Sequence, residues 1–160
     1  MNQRVKFSTY SIVVTAVTFV GLVVLSIYLV SAGRDVASYI VDAAVVFLCT
    51  AALFYAPISI SADSDGIYIN RGMCVKLIPM SDIESIKLCP PTMGERRICG
   101  SGGWFGYWGW YSERDLGKYF AYYGKASDCF LVTLTDGSKY MLGCRDPKKI
   151  VDYIQNRISK

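Results

Sequence analysis

An uncharged stretch near the start of the chain, residues 10–30, reads YSIVVTAVTFVGLVVLSIYLV. A transmembrane helix needs about 20 consecutive, mostly apolar residues to cross the hydrocarbon core of a bilayer, and this stretch meets that length. A second apolar stretch, YIVDAAVVFLCTAALFY, follows at residues 39–55, and its flanking residues extend it. These stretches predict two membrane-spanning helices, at about residues 9–31 and 36–56.

The connection between the two predicted spans is only SAGRD, so the helices are predicted to form an antiparallel hairpin. Basic residues flank the outer ends of the spans at Arg4, Lys6, Arg71 and Lys76, whereas the connection has only Arg34. Because basic residues beside membrane spans stay on the cytoplasmic side, both termini are predicted to be cytoplasmic. The chain is therefore expected to be a multi-pass membrane protein whose helical connection lies on the periplasmic or extracellular side.

The sequence Val30-Ser31-Ala32 resembles a signal-peptidase site. The apolar stretch before it is much longer than the core of an ordinary signal peptide, so we expect the first span to be retained. Cleavage after Ala32 stays an alternative.

Asp42 is the carboxylate inside the predicted second span. We expect it to reach the membrane interface or to pair with Arg34, although an intramembrane carboxylate is also a sign of function. Small residues recur every seven positions at Ala37, Ala44 and Ala51, and this stripe would let helices pack closely, within the hairpin or between copies.

The rest of the chain, residues 57–160, has ordinary polarity and is predicted to be one globular domain. The whole sequence is 52% apolar, with a mean hydropathy of +0.30 and a net charge of +4. Its apolar excess therefore lies mainly in residues 1–56. The chain has no histidine, which excludes histidine-dependent catalysis and histidine-ligated metals. Its carboxylates are scattered, and its six cysteines form no Cys-x-x-Cys pair. We predict no enzyme activity, no cofactor and no metal site.

Alternating apolar residues between turn signals predict seven strands in this domain. They are residues 58–61, 66–71, 74–79, 83–88, 116–123, 129–135 and 139–143. Alternation in the sixth strand predicts a core face of Phe130, Val132 and Leu134. A C-terminal helix starting near Asp146-Pro147 carries an apolar stripe of Ile150, Val151, Ile154 and Ile158. We expect a bent antiparallel sheet or barrel closed by this helix.

Residues 89–116 are predicted to form an unusually long loop, which contains all three tryptophans in the segment GSGGWFGYWGWY at 100–111. Exposed in water, this segment would be a large apolar patch, so it must pack on something. Three packing partners are possible for it: the domain itself, a protein partner or second copy, and the bilayer. In the bilayer case, Arg96 and Arg97 would contact anionic lipid. The candidate interaction residues are Arg96, Arg97, Trp104, Phe105, Trp108, Trp110 and Tyr111.

Nucleotide and nucleic-acid binding are disfavoured. The glycine-rich run lacks the GxxxxGK[ST] pattern of a phosphate-binding loop. Proteins that bind single-stranded nucleic acid combine basic residues with aromatic ones, whereas the aromatic residues here have no basic residues among them.

A cytoplasmic domain would keep the cysteines reduced, and most are predicted to be small buried hydrophobic residues. A Cys89–Cys99 disulfide at the base of the long loop is the alternative.

Taken together, these segments resemble bacterial pleckstrin-homology-like (PH-like) domain proteins with N-terminal transmembrane helices. The similarity rests on DGIYINRG (65–72), LIPMSDIESIK (77–87), the aromatic segment at 100–111, LGKYFAYYG (116–124) and the final helix. The resemblance implies a seven-strand, two-sheet domain closed by one C-terminal helix. It implies no activity and no established binding residues.

We therefore expect a membrane-tethered PH-like binding or scaffolding module on the cytoplasmic face of a bacterial inner membrane, which acts through protein contacts, including self-association, or through lipid headgroups. The alternative is a small subunit or regulator of a transport or envelope complex in which the helical hairpin is the working part.

Overall fold

The computed structural model describes residues 1–33 and 35–158. In these residues the helices are α1 (Thr9–Ser31), α2 (Val36–Tyr55) and α3 (Pro147–Ile158). The strands are β1 (Asn2–Arg4), β2 (Pro57–Ala62), β3 (Gly66–Arg71), β4 (Val75–Pro79), β5 (Ile83–Leu88), β6 (Arg96–Gly103), β7 (Gly106–Glu113), β8 (Gly117–Tyr123), β9 (Cys129–Leu134) and β10 (Lys139–Gly143). N-terminal helices, a sheet-rich region and a C-terminal helix follow one another as predicted.

Of the described helices, α1 is long and apolar enough to cross a membrane by its length and composition. The described apolar run of α2, Val36–Ala52, is shorter. Both helices are capped at their N-terminal ends. In α1 the Ser11 N–H donates to the Ser8 hydroxyl (3.1 Å), and in α2 the Ser38 N–H donates to the Asp35 carboxylate (2.9 Å). One apolar N-terminal helix is thus established, and the second span stays a prediction.

The face of α2 that turns toward α1 is not the alanine stripe. The Ser26 hydroxyl of α1 donates to Asp42 (2.8 Å), so the face that carries Asp42 lies on α1. Ala37 and Ala44 are exposed and Ala51 is half-buried, so the stripe as a whole does not pack within the hairpin. Packing of the stripe between copies stays a prediction. The proposed pairing of Asp42 with Arg34 lies outside the described residues.

The strands form two sheets, as the resemblance implies, rather than the one bent sheet expected from the strand pattern. The smaller sheet has the order β1-β2-β3-β4 and is antiparallel, and the larger has the order β5-β9-β10-β8-β7-β6. Strand β10 lies between β9 and β8 and pairs with β8 in parallel, from Tyr140↔Phe120 to Leu142↔Tyr122. The prediction of seven antiparallel strands is therefore wrong in this pairing and in the number of strands.

Two of the missing strands lie in residues 89–116, which were predicted to be a loop. This segment instead holds the β6–β7 hairpin, with register from Arg96↔Ser112 to Gly103↔Gly106. Its many glycines lower the β-propensity and hide the period-two pattern that identifies a strand. At Gly100, paired with Gly109, an added Cβ would come within 2.1 Å of the Trp108 carbonyl oxygen. Glycine is therefore what allows these two strands to approach.

The third missing strand, β1, precedes α1 in residues that were assigned to the helical part. It pairs with β2, and the next residue, Val5, donates to the Ile58 carbonyl (2.9 Å) and is buried. The chain thus enters α1 directly from the smaller sheet.

The main core lies between the two sheets and α3. Phe130 and Val132 are fully buried in it and Leu134 packs at its edge, as the alternation predicts. Ile150, Val151 and Ile154 of α3 are also buried there, whereas Ile158 is exposed. The other face of the larger sheet has a second core, rich in tyrosine, built on Tyr111, Tyr119 and Tyr123.

Candidate functional site at the helix–sheet junction

The β6–β7 hairpin ends in a turn that lies against the first turns of α1. Because Gly103 pairs with Gly106, the turn consists of Trp104 and Phe105, and we call these four residues the tip. Phe105 has a φ of 51°, in the left-handed region. A residue other than glycine costs about 1–3 kcal/mol there, so surrounding contacts must hold the tip in this conformation.

Two hydroxyl groups of α1 hold the tip. Ser11, which is 1% exposed, donates to the Gly103 carbonyl and accepts the Gly106 N–H (3.1 Å). Thr15 accepts the Phe105 N–H (2.9 Å) while donating to the Ser11 carbonyl of its own helix (2.8 Å). Since a hydroxyl both donates and accepts, these two side chains bond three backbone groups at the end of the hairpin: the Gly103 carbonyl and the N–H groups of Phe105 and Gly106.

The glycines of the tip allow it to approach the helix. A Cβ added at Gly103 would lie 2.9 Å from the ring of Tyr10, and one at Gly106 would lie 2.9 Å from the ring of Phe7. The glycine–aromatic pattern therefore fits a hairpin that presses its backbone onto aromatic rings at the start of α1. No sequence pattern identifies Ser11 as a partner of the tip, because serine and threonine hydroxyls in apolar helices commonly bond only their own helix.

The predicted aromatic residues do not form one surface. Trp108 stacks on Tyr55 at the end of α2 (5.3 Å between ring centroids) and packs on the main core. Trp110 packs edge-on against Phe120 (5.1 Å) and is 48% exposed. Tyr111 lies on the opposite face of the strand, in the second core, because neighbouring strand residues point to opposite faces. Three of the five aromatic candidates therefore meet at α1: Trp104 and Phe105 in the tip, and Trp108, whose Nε1–H donates to the Trp104 carbonyl (3.3 Å).

The two candidate arginines are also separated. Both are exposed on β6, but Arg97 extends along the strand to Gly102, beside the tip. It lines a groove of about 450 Å³ with Tyr10, Leu48 and Trp104. Arg96 faces another groove, which contains Glu113. Arg97 therefore belongs to the junction and Arg96 does not.

A second groove, of about 370 Å³ and almost wholly apolar, lies on the other side of the tip. Its apolar lining comes from Phe7, Ile12, Ala16, Phe19 and Phe105. The tip thus lies in the angle between α1 and the sheet, with an apolar groove on one side and a groove with one arginine on the other.

Glu95, which the sequence analysis did not identify, organises the second core. Its carboxylate accepts from Tyr119 (2.6 Å) and from Tyr123 (2.8 and 3.0 Å). Burial, together with this carboxylate, raises the pKa of both phenols well above their ordinary value. Tyr107 stacks on Tyr123 (4.8 Å). Because both phenols stay protonated at neutral pH, this cluster is a hydrogen-bonded part of the core.

The cysteines behave less uniformly than predicted. Every cysteine is free, so the Cys89–Cys99 disulfide is not formed. Cys129 and Cys144 are buried, and burial raises the pKa of Cys144 to about 12. Cys99 is exposed and the other three are half-buried, so the prediction that most of the cysteines are buried is wrong. Within residues 1–33 and 35–158, no group of three or more cysteine, aspartate and glutamate side chains is placed to hold a metal ion.

Comparison with known families agrees with this architecture. A family model described as bacterial PH domain (bPH_5) matches residues 58–158, which run from β2 to the end of α3. Searches of curated proteins and of solved structures gave no match. The matched region covers well over half of the chain and both sheets apart from β1, and the chain therefore belongs to the bacterial PH domain family.

Proposed function

We propose that this protein is a membrane-anchored binding or scaffolding module, in which α1 and α2 cross the inner membrane and hold the PH domain at its cytoplasmic face. The observation that carries the proposal is the tip bonded to Ser11 and Thr15, because it joins the domain directly to an apolar helix. A PH domain is a binding module, so its purpose at this position would be to recruit or organise partners. The partner is proposed to be another membrane protein or a second copy of the chain.

The depth of the tip supports contact with the bilayer. At 1.5 Å per residue, Thr15 lies about 9 Å along the axis from the start of α1. Beyond it α1 presents exposed apolar side chains, such as Val17 (67%) and Val24 (60%), which suit lipid. With α1 in a membrane, Trp104 and Phe105 would lie at the boundary between headgroups and acyl chains, where aromatic rings are favoured. Trp108 and Tyr111 would stay inside the domain.

The alternative, in which the hairpin is the working part of a transport or envelope complex, depends on Asp42. The Ser26 hydroxyl already satisfies one oxygen of this carboxylate within the hairpin, which favours a helix-packing role. Replacing Asp42 with asparagine keeps an acceptor for Ser26. Normal function of this variant together with loss of function on deleting residues 57–160 would support the scaffold, and the reverse pattern would support the alternative.

Membrane insertion and orientation can be measured with thiols. Cys99, the exposed cysteine of the domain, should react with a membrane-impermeant maleimide only after cells are lysed. In a Cys99→Ser background, Ala32→Cys at the end of α1 should react in intact cells, with the Cys99→Ser chain as the control. Labelling of Cys99 in intact cells would reverse the orientation, and release of the chain from membranes by alkaline carbonate would refute anchoring.

The partner can be sought by crosslinking the full chain in native membranes and measuring the mass of the product. A product at twice the mass of the chain would identify self-association, and a heavier or uneven mass would identify a different protein. The chain recovered only as a monomer would contradict the scaffolding proposal.

A further inference from the structure

We propose that Arg4, Lys6 and Arg145 form a binding site for the phosphate group of an anionic phospholipid, at the level where α1 begins. This inference rests on the proposed function, because it needs α1 to lie in a membrane. The three side chains, together with Val5, line a groove of about 280 Å³. Arg4 and Lys6 come from the start of the chain and Arg145 from the segment after β10, so the fold brings them together.

The backbone of this basic groove is held firmly on both sides. The Arg145 N–H donates to the Arg4 carbonyl (2.9 Å), which ties the segment after β10 to strand β1. The Val5 N–H donates to Ile58 (2.9 Å), and the Val5 side chain is buried in the main core. The three cations are therefore clustered by the fold before any ligand binds.

The charge of the groove is uncompensated in the part of the chain that the structure describes. Asp146, which follows Arg145, is paired with Lys149 (3.2 Å), and Asp128, whose carbonyl accepts the Cys144 N–H, is nearest to Lys125 (3.9 Å). Among the described residues, Arg4, Lys6 and Arg145 take part in no ion pair. Three unpaired cations around one groove attract an anion with several oxygen acceptors, which is the chemistry of a phosphate group.

The position of the groove favours a lipid phosphate over a free one. Lys6 lies three residues before the start of α1, so even a fully extended chain keeps it within about 11 Å of the helix. Headgroups of the leaflet around α1 occupy this level. The apolar groove beside the tip begins at Phe7, the next residue, and runs along α1 to Phe19, where it would suit an acyl chain. A charged groove followed by an apolar one matches a molecule with a phosphate headgroup and a hydrocarbon tail.

The test is native mass spectrometry of the full chain, purified in detergent and offered equal amounts of phosphatidylglycerol and phosphatidylcholine. The wild-type chain should retain phosphatidylglycerol in preference. Each basic residue near an anionic lipid contributes about fivefold, so Arg145→Gln should reduce the preference about fivefold and the triple variant with Arg4→Gln and Lys6→Gln should abolish it. Arg114→Gln is the matched control, because the seven residues of β7 after Gly106 separate it from the tip, and Arg114 lies roughly 26 Å along the strand from Gly106.

Three results would overturn the inference. The first two are a preference for phosphatidylglycerol that survives in the triple variant and an equal loss of that preference in Arg114→Gln. The third is displacement of the lipid by millimolar glycerol phosphate, which would assign the site to a soluble anion. Melting temperatures of all variants check that the domain stays folded. Carbonate extraction separates the two proposals: release of the chain from membranes refutes the proposed function, whereas a retained chain without lipid preference refutes only this inference.

Discussion

The joint between α1 and the tip can be tested by removing one hydroxyl, with Ser11→Ala. Ser11 is 1% exposed and bonds two backbone groups of the hairpin, the Gly103 carbonyl and the Gly106 N–H. Alanine removes both bonds: the Gly106 N–H loses its side-chain acceptor, and the Gly103 carbonyl keeps a longer contact from the Thr15 hydroxyl (3.5 Å). A lost bond to a buried group costs about 1–3 kcal/mol, so we expect the docked state to lose about 2 kcal/mol. This loss corresponds to a population of the undocked tip that is about 30-fold larger.

The assay is amide hydrogen exchange of Phe105, measured by NMR on the full chain in lipid nanodiscs. The Phe105 N–H bonds to Thr15, which the substitution leaves intact, so faster exchange reports opening of the whole tip rather than loss of its own acceptor. We expect exchange about 30-fold faster than in the wild type.

The matched control is Ser31→Ala at the other end of the same helix. The Ser31 hydroxyl is exposed and donates only to its own helix, at the Ile27 and Tyr28 carbonyls (2.6 and 3.2 Å). Its removal should leave Phe105 exchange unchanged. Exchange in Ser11→Ala within twofold of the wild type, or an equal acceleration in Ser31→Ala, would show that these hydrogen bonds do not hold the tip.

Three further predictions concern the sheets. Tyr123→Phe removes the hydrogen bonds to Glu95 and should lower the free energy of unfolding by about 1–3 kcal/mol in denaturant titrations. Because the pKa of Tyr123 is raised in the folded state, the wild-type free energy of unfolding should fall as the pH rises above about 10, and less steeply in this variant; parallel pH profiles would contradict this. Gly109→Ala would place a Cβ 2.2 Å from the Cys99 carbonyl oxygen at a φ of 121°, so thermal melting should show a loss of about 3 kcal/mol or more, and an unchanged Tm would refute the close approach. With a pKa of about 12, the Cys144 thiol should resist iodoacetamide at pH 8 while exposed Cys99 reacts, and equal rates would contradict the described burial.

The sequence predicted elements wherever local periodicity was strong. The strands at 66–71, 83–88 and 139–143 have the predicted bounds, and α3 begins at the predicted proline. The β6–β7 hairpin was missed because glycine, which has no side chain, cannot show alternation, although it is what permits this pairing. Strand β1 was missed because its three residues are polar and read as the basic flank of a span. In both segments the structure depends on contacts with distant parts of the chain.

The contacts between the tip and α1 could not be predicted from the sequence for a related reason. The sequence indicated that the tip must pack on something, but the partner depended on which residues of α1 faced it. Ser11 and Thr15 have ordinary roles in an apolar helix, and only the docked hairpin gives them a second one. Arg145 likewise joins Arg4 only through the pairing of distant backbone segments.

The connections between the helices and the sheets leave the domain little freedom to swing. Four residues, 5–8, separate β1 from α1, and their backbone is bonded at both ends, from Val5 to Ile58 and from Ser8 to Gly124 (2.9 Å each). Only Ala56 separates α2 from β2. A flexible tether would need a longer polar linker, so the domain must turn with its helices. On a membrane crossed by α1, this rigidity would fix which surface meets the headgroups. The groove of Arg4, Lys6 and Arg145 and the aromatic tip both lie at the start of α1, whereas the β7–β8 turn lies at the opposite end of β7 from the tip.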